Sequence, residues 1–252
     1  IEHDDAMPSL ETLLALAERL EVSPGFLLDP ADDLLPAVRA QAERQIADAF
    51  AAADYTGCLA AFAAADITPD KKNAAVYTLC AFRVGIQAFD RGDLPTARKW
   101  LDAAEAALPL APIPPEEVTA ARIGFVRRLA ERMDILSLAP DKPDFGFQPS
   151  LFVFTLRRLA DGDLTTVHAI LTLGLLEAPY ATYVEAKLKL ADYKFIDAIL
   201  ALRPIAASKE TPCFLALLAA AAVEDCCKTC EDYKGAYESR ERREAILASV
   251  VR

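Results

Sequence analysis

Residues 92–104, GDLPTARKWLDAA, contain the pattern that decides the fold. Gly92 and Asp93 form a short turn at which a helix begins. Ala97, Leu101 and Ala104 then recur at steps of four and three residues, which places them on one face of that helix. Small residues on this face let another helix approach closely, so the stretch predicts the second helix of an antiparallel helix pair.

The pattern occurs five times along the chain. In each case a short acidic or glycine-containing turn precedes an inward-facing residue three positions later and another four beyond that. The five turns and their inward residues are Ala53-Asp54-Tyr55 with Cys58 and Phe62, Gly92-Asp93-Leu94 with Ala97 and Leu101, Gly162-Asp163-Leu164 with Val167 and Leu171, Ala191-Asp192-Tyr193 with Ile196 and Leu200, and Glu231-Asp232-Tyr233 with Ala236 and Arg240. Their spacings of 39, 70, 29 and 40 residues indicate that one unit has lost its turn.

This arrangement resembles the tetratricopeptide repeat family, whose unit is about 34 residues of two antiparallel helices. The second unit matches best, with Gly85 as the small contact of its first helix and Pro109 at its end. Pro69 ends the first unit in the same way. The last unit departs from the family, because Arg240 and Arg243 occupy positions that should be buried. A terminal capping helix with a solvated outer face would account for them.

The resemblance implies an all-α fold in which antiparallel helix pairs stack as a right-handed solenoid over residues 31–252. An irregular helical bundle is the alternative, and the uneven spacing of the turns favours it. Alanine-rich, glycine-poor composition, with nine glycines in 252 residues, favours closely packed helices in either case. No stretch shows the alternation that a strand needs.

Two proline-rich stretches interrupt the predicted array. Residues 109–115 must be extended, because each proline disfavours helix in the residue before it. We expect a helix from about Glu116 to Leu138 and then an ordered loop from Ala139 to Pro149. Phe145 and Phe147 of this loop either fold back onto the array or form an exposed contact.

The first 28 residues, IEHDDAMPSLETLLALAERLEVSPGFLL, carry a second pattern. Ser9 and Ser23-Pro24 are helix-start signals, and Leu13, Leu14, Ala17 and Leu20 give the first helix one apolar face. The order and spacing of its characteristic residues resemble the Xre/Cro-type, lambda-repressor-like helix-turn-helix family: Ile1-Glu2, Pro8-Ser9-Leu10-Glu11-Thr12-Leu13, Leu16-Ala17, Leu20, Val22-Ser23 and Leu27-Leu28. Asp4 and Met7 depart from the family, which usually has a turn glycine and a small polar residue there.

This resemblance implies that residues 1–30 are the last two helices of a truncated DNA-binding domain. Its recognition helix enters the major groove, and only the end of that helix would be present. We therefore expect DNA binding only through helices that precede Ile1, and we interpret the chain as part of a longer product. Two ordinary short helices that cap the array are the alternative.

Charge and apolar patterning exclude other classes. The net charge of −11 argues against nucleic-acid binding by the body of the protein. The longest uncharged runs, Thr211–Val223 and Leu164–Leu176, are shorter than the roughly 20 residues of a membrane span. No signal peptide is visible, and we expect a cytoplasmic protein without membrane contact.

The six cysteines do not have the spacing of a disulfide framework. Cys226, Cys227 and Cys230 supply at most three zinc ligands, and neither His3 nor His168 lies near them in sequence. They are better interpreted as structural thiols. We predict no metal and no cofactor. Because no phosphate-binding loop or nucleophile–base arrangement is present, we predict that the protein is not an enzyme.

The tetratricopeptide resemblance implies a concave groove on the first helix of each unit. Carried over residue by residue, it predicts an apolar strip with an arginine rim, suited to a partly apolar peptide with a carboxylate. The strip is Leu79, Phe82, Ile86, Phe89, Phe152, Leu156 and Leu159, and the rim is Arg83, Arg91, Arg157 and Arg158. The same residues could instead be core or part of a dimer interface.

Together these patterns predict the ligand-binding, dimerising body of a helix-turn-helix transcriptional regulator. We expect a homodimer, because lambda-repressor-like domains usually bind two-fold DNA sites. A tetratricopeptide interaction scaffold without a DNA role is the alternative, and the coding sequence before Ile1 would distinguish the two.

Overall fold

The computed structural model describes residues 31–131 and 134–251, with side chains from residue 38 onward, and three single positions near the N-terminus. These residues are mostly helical, and their one β-type pairing is the bridge between Asp93 and Val251. The helix-turn-helix match over Ile1–Leu28 therefore lies outside the described residues. The helices are α1 Ala31–Ala51, α2 Tyr55–Ala64, α3 Ala74–Asp90, α4 Leu94–Ala107, α5 Ala120–Glu131, α6 Gln148–Ala160, α7 Leu164–Thr172, α8 Tyr180–Ala191, α9 Phe195–Ala207, α10 Cys213–Thr229 and α11 Tyr233–Ser249.

The chain divides into two compact units between Thr68 and Pro69. In the first unit α1 and α2 contact each other as a helix pair. Cys58 and Phe62 of α2 are buried, as the repeat pattern predicts. The predicted boundary at residue 30 concerns residues outside the described ranges and stays a prediction.

Four of the five predicted turns have the same backbone geometry. A residue with positive φ is followed by an aspartate whose carboxylate accepts a hydrogen bond from the backbone N–H three residues later, and that aspartate caps the next helix. The four pairs are Ala53 with Asp54, Gly92 with Asp93, Gly162 with Asp163, and Glu231 with Asp232. The acidic residue of the pattern is thus the N-cap of the second helix in each pair.

The fifth turn differs from its predicted register. Tyr193, with φ of +60°, occupies the positive-φ position, and Lys194 occupies the N-cap position without a capping side chain. Asp192 instead ends α8. The shift moves the inward positions to Ala198 and Leu202, which are fully buried. Consequently the predicted inward residues, Ile196 and Leu200, are 69% and 63% exposed.

The second unit contains four helix pairs and one single helix. The pairs α3–α4, α6–α7, α8–α9 and α10–α11 each have their two helices in contact. Helix α5 lies alone in the long interval between the second and third turns and contacts both α3 and α4. It begins at Ala120 and not at Glu116, because the hydroxyl of Thr119 accepts a hydrogen bond from the N–H of Arg122. After α5, Ile135–Leu138 forms a separate 3-10 turn.

The first and last helix pairs of the second unit contact each other. Helix α10 contacts α3, and the rings of Phe89 and Phe214 lie 5.6 Å apart. The backbone of Val251 pairs with the turn between α3 and α4. A contact between first and last pairs is absent from an open array, in which each unit touches only its neighbours. The helix pairs of the second unit therefore form a closed and not an open row, while their stacking as a right-handed solenoid stays a prediction.

The loop between α5 and α6 is held by one arginine. Arg122 donates two hydrogen bonds of 2.7 Å to the carboxylate of Asp144, and its guanidinium lies 5.6 Å from the ring of Phe147. Phe147 is buried against Phe82, at a ring distance of 6.2 Å, whereas Phe145 is 56% exposed. Of the two loop aromatics, one folds back onto the array and the other faces solvent.

Candidate functional site

The closed array fills its inner face with aromatic rings. Phe152 of α6 is fully buried, and its ring centroid lies 5.2 Å from Tyr180, 5.5 Å from Tyr183 and 6.3 Å from Phe214. Tilted and edge-on ring pairs at such distances are favourable, so the cluster joins α6, α8 and α10. Phe214 also contacts Phe89 of α3. The first helices of all four pairs thus meet in one apolar core.

This core contains most of the predicted groove. Phe82, Phe89, Phe152 and Leu156 are between 0% and 7% exposed, and Leu79, Ile86 and Leu159 are half-buried. The structure therefore brings the predicted strip together as packing and not as an open concave surface. The physical reason is the contact between α3 and α10, which covers the face that an open array would present to solvent. Whether any part of this face takes a ligand stays a prediction.

The predicted arginine rim does lie at the surface, but its members have local partners. Arg83 forms an ion pair with Glu117, and Arg157 forms one with Asp161. Arg91 donates a hydrogen bond to the backbone carbonyl of Gln87. Arg158 lies over the ring of Phe154, 4.9 Å from its centroid. Three of these contacts lie along the arginine's own helix, and the fourth joins Arg83 to the segment before α5, so the four guanidinium groups do not share one anion.

One acidic side chain lies against the inner cluster. Asp90 is the last residue of α3, and its Oδ1 atom is buried without a hydrogen-bond partner among the described residues. Burial raises the pKa of this carboxyl from 3.8 to about 6. Burial, with the charge of Asp90, also raises the pKa of the Tyr180 phenol and of the Cys213 thiol. Asp90 therefore lies beside α8 and the start of α10, where the closing contact forms.

The cysteines of the 226–230 cluster differ in burial. All six are free thiols, and Cys226 and Cys227 are buried while Cys230 is exposed. Burial raises the pKa of both buried thiols, which disfavours the thiolate needed for reactivity or metal binding. No group of three or more metal-ligating side chains is found among the residues that the structure describes.

Helix α10 holds α11 through a buried carboxylate. Glu224 is 3% exposed and accepts a hydrogen bond of 2.6 Å from Lys228, while Arg243 of α11 lies 2.9 Å from its other oxygen. The hydrogen bond to Lys228 lowers the pKa of Glu224. Arg240 is exposed and pairs with Glu244 on its own helix. Both arginines depart from the repeat pattern: Arg243 forms an ion pair between α11 and α10, and Arg240 is a solvated surface residue.

A second candidate surface lies on the outside of the array. The exposed stripe of α9 consists of Ile196, Leu200, Arg203 and Ala207, which follow one another at steps of four, three and four residues. The opposite face of α9 is buried through Ala198 and Leu202. An isolated surface helix normally has one apolar face, so the apolar start of this second stripe is unusual.

Two depressions flank the stripe. One, of about 300 Å³, is lined by Ile196, Ile199 and Leu200 of α9 together with Cys230 and Asp232. The other, of about 270 Å³, has an apolar floor that includes Val223 of α10 and a polar rim from α11. Arg203 lines both depressions, so they adjoin at its side chain. We call these two adjoining depressions along α9 the outer groove.

The far end of the outer groove is built by Arg242 of α11. Its guanidinium donates hydrogen bonds of 2.6 Å and 2.8 Å to the carbonyl oxygens of Ala206 and Ala207. The last carbonyls of a helix have no partner within the helix, so these bonds satisfy two of them. Arg242 thereby fixes the separation of α9 and α11 where they border the outer groove.

Comparison with known proteins finds no matching family model, no similar curated protein and no similar solved structure. None of the described helices is both long enough and apolar enough to cross a bilayer.

Sequence reasoning missed the outer groove because it placed the fifth turn incorrectly. With Asp192 taken as the helix start, Ile196 and Leu200 read as core. The signal that would have found the correct register is the second apolar set, Ala198, Leu202 and Ile205, whose spacing also fits one helix face. If Ala198 and Leu202 are matched to the inward residues of the other units, Ile196 and Leu200 fall on the opposite, exposed side of the helix.

Proposed function

We propose that this chain is the partner-binding and dimerising body of a helix-turn-helix transcriptional regulator. The DNA role rests on the resemblance of Ile1–Leu28 to Xre/Cro-type domains. The partner-binding role is supported by one observation above all: exposed apolar side chains recur on the outer, second helices of the array. They include Ile196 and Leu200 of α9 and Tyr233 and Tyr237 of α11, each more than 60% exposed.

The inner face is filled, so partner binding is assigned to this outer surface. Apolar patches on soluble proteins commonly mark interaction sites. The full chain has a net charge of −11, which argues against DNA contact by the array, so the DNA role rests on the helix-turn-helix resemblance alone. The array in this proposal senses or holds a partner, and it pairs two copies so that two DNA-binding segments act together.

The regulator proposal has a direct test in the gene. The coding sequence before Ile1 must encode about forty to fifty residues of a basic, helix-rich pattern ending at this Ile-Glu pair, and the product that includes them must shift a two-fold DNA site in a gel. A coding sequence without such a segment would leave the second candidate, a helical interaction scaffold with no DNA role. The acidic charge of the chain is the observation that favours this second candidate.

The dimer is tested separately. Light scattering at tens of micromolar should give twice the chain mass of 27.3 kDa. A mass of 27.3 kDa under these conditions would contradict dimerisation by this part of the chain.

A further inference from the structure

We infer that the outer groove binds an amphipathic helix of a partner protein, one that presents apolar side chains and a single carboxylate to α9. This inference rests on the proposed partner-binding role and names its surface and the chemistry of the partner. It is carried by the stripe Ile196, Leu200, Arg203 and Ala207, and by the two depressions beside it.

The spacing of the stripe determines the shape of the partner. Steps of four, three and four residues follow one side of a helix over twelve residues, which is about 16 Å or three turns. A second helix laid alongside meets such a stripe with side chains at the same steps, as in coiled coils and helix-in-groove complexes. A partner of about twelve residues is therefore sufficient to cover it.

The apolar part of the outer groove lies at the start of α9. Ile196 and Leu200 are 69% and 63% exposed, and Ile199 supports them from below. Covering two exposed aliphatic side chains removes apolar surface from water, which is the main favourable contribution to association. The depression beside them is large enough to receive a leucine or methionine side chain. The partner helix should place an apolar residue at each of these positions.

Arg203 is the central charged residue of the outer groove, which Asp232, Glu238 and Arg242 also line. It lines both depressions, it is exposed, and its guanidinium contacts the sulfur of Cys227. None of the ion pairs formed within the described residues involves Arg203. Asp232, on the same wall, already accepts the hydrogen bond that caps α11. Glu238 pairs with Lys234 of its own helix. A carboxylate on the partner helix thus complements a positive group that forms no ion pair within the described residues.

At the Ala207 end of the outer groove the lining side chains are small and leave room for a larger residue of the partner. Ala207 is exposed on α9, and the floor beside it includes Ala220 and Val223 of α10. Alanine side chains leave room for a leucine from the partner. The expected seam of the partner helix is apolar at three of its four contact positions and acidic at one inner position.

The probe is a displayed library of fourteen-residue amphipathic helices, whose four seam positions are each randomised among Leu, Ala, Glu and Lys. Selection against the whole chain should return helices with one inner Glu and with Leu at the other seam positions. Both inner seam positions are randomised, so the library includes helices that place Glu opposite Arg203 in either orientation of the partner. Affinity is then measured by fluorescence anisotropy of the labelled, selected peptide.

Charge exchange tests the role of Arg203. Arg203→Glu should weaken binding of the Glu-containing peptide on the order of tenfold, and the same peptide with Lys at that position should recover binding. Arg128→Glu is the matched control, since Arg128 is exposed on α5 and outside the outer groove. Equal binding of the Glu and Lys peptides to both variants would overturn the inference.

Apolar contact is tested by Leu200→Asp, which should also weaken binding on the order of tenfold. Leu173→Asp is its control, because Leu173 is 71% exposed at the end of α7. Selection without any seam preference, or binding that Leu200→Asp leaves unchanged, would overturn the inference.

Light scattering of the same variants separates this inference from the proposed function. If Leu200→Asp converts a dimer into a monomer and no peptide is selected, a second copy covers the stripe and the partner-helix inference is wrong. If no peptide is selected and the variant stays dimeric, the inference fails while the dimerising role stands. Peptide selection by a chain that is monomeric would support the outer groove and contradict the dimer.

Discussion

The backbone N–H of Val251 donates a hydrogen bond of 3.0 Å to the carbonyl oxygen of Gly92. The carbonyl of Val251 in turn accepts one of 3.1 Å from the N–H of Leu94. These two bonds join residues 159 and 157 positions apart in sequence, at the turn that begins α4. They place the end of the last helix pair directly against the first pair of the second unit.

A pair of glycine variants measures this contact. Gly92 and Gly162 have φ of +81° and +78°, so alanine at either position adds a similar backbone cost of about 1–2 kcal/mol. At Gly92 the new Cβ would also meet Cys213 Sγ at 3.2 Å and a methyl group of Val250 at 3.3 Å, whereas nothing lies within 4 Å at Gly162. In urea titrations Gly92→Ala should therefore be less stable than Gly162→Ala by about 1 kcal/mol or more. Equal losses would show that the closing contact is absent in solution.

The buried carboxylate of Asp90 predicts a pH dependence. Its folded-state pKa of about 6 lies above its ordinary value of 3.8, so folding favours the protonated form. The free energy of unfolding should therefore fall as the pH rises from about 4 to 6.5 and should level off above that. Asp90→Asn should remove this fall and should be more stable than the wild type at pH 8 by about 1–2 kcal/mol, a value reduced for partial solvent access.

The measurement is urea unfolding of both proteins at pH 5 and pH 8. Tyr180 and Cys213, the two other titratable groups beside Asp90, stay protonated over this range because their pKa values are raised. Parallel pH profiles for wild type and variant would contradict the prediction.

The corrected register of the fifth turn has its own test. Asp163→Ala removes a capping carboxylate and should cost about 1 kcal/mol. Asp192→Ala should cost less than about 0.5 kcal/mol, since Asp192 only forms an exposed ion pair with Lys194. Lys194→Asp introduces a capping carboxylate at α9 and should stabilise the chain by up to about 1 kcal/mol. If Asp192→Ala is instead as damaging as Asp163→Ala, helix α9 begins at Tyr193.

Burial distinguishes the inner face from the outer one. Phe152→Asp should lower stability by several kcal/mol, because it places a carboxylate without a partner among aromatic rings. Leu200→Asp should leave the melting temperature within a few degrees of the wild type, because Leu200 is 63% exposed. Thermal melts at equal protein concentration test both predictions. A Phe152→Asp protein as stable as the wild type would show that this face is an open groove and not core.

The helical class and four of the five turns follow from sequence because they depend on local features. An aspartate after a positive-φ residue satisfies the N–H groups at a helix start whatever the rest of the fold does. The turn at Tyr193 escaped prediction because a tyrosine takes the position that glycine usually fills, while a plausible aspartate stands two residues before the true cap.

The filled inner face could not be read from the same patterns. An apolar stripe on α3 looks alike whether it lines a groove or meets α10, which lies more than a hundred residues away in sequence. Whether the stripe is groove or core depends on two long-range contacts, Phe214 with Phe89 and Val251 with Gly92. Contacts between residues so far apart in sequence leave no local sequence pattern. The outer groove was hidden for a related reason, since Arg203 became informative only when its neighbours on α9 proved to be exposed.

The bond between Val251 and Gly92 also bears on how such a chain can change over generations. An open row of repeats gains or loses a unit at either end with little disturbance, because each unit touches only its neighbours. Here one more helix pair would widen the ring by roughly the 8–10 Å between packed helices and would pull the two residues apart. Duplication of a pair is therefore penalised, and variation in this lineage should appear as substitution on the outer helices and not as a change in the number of pairs.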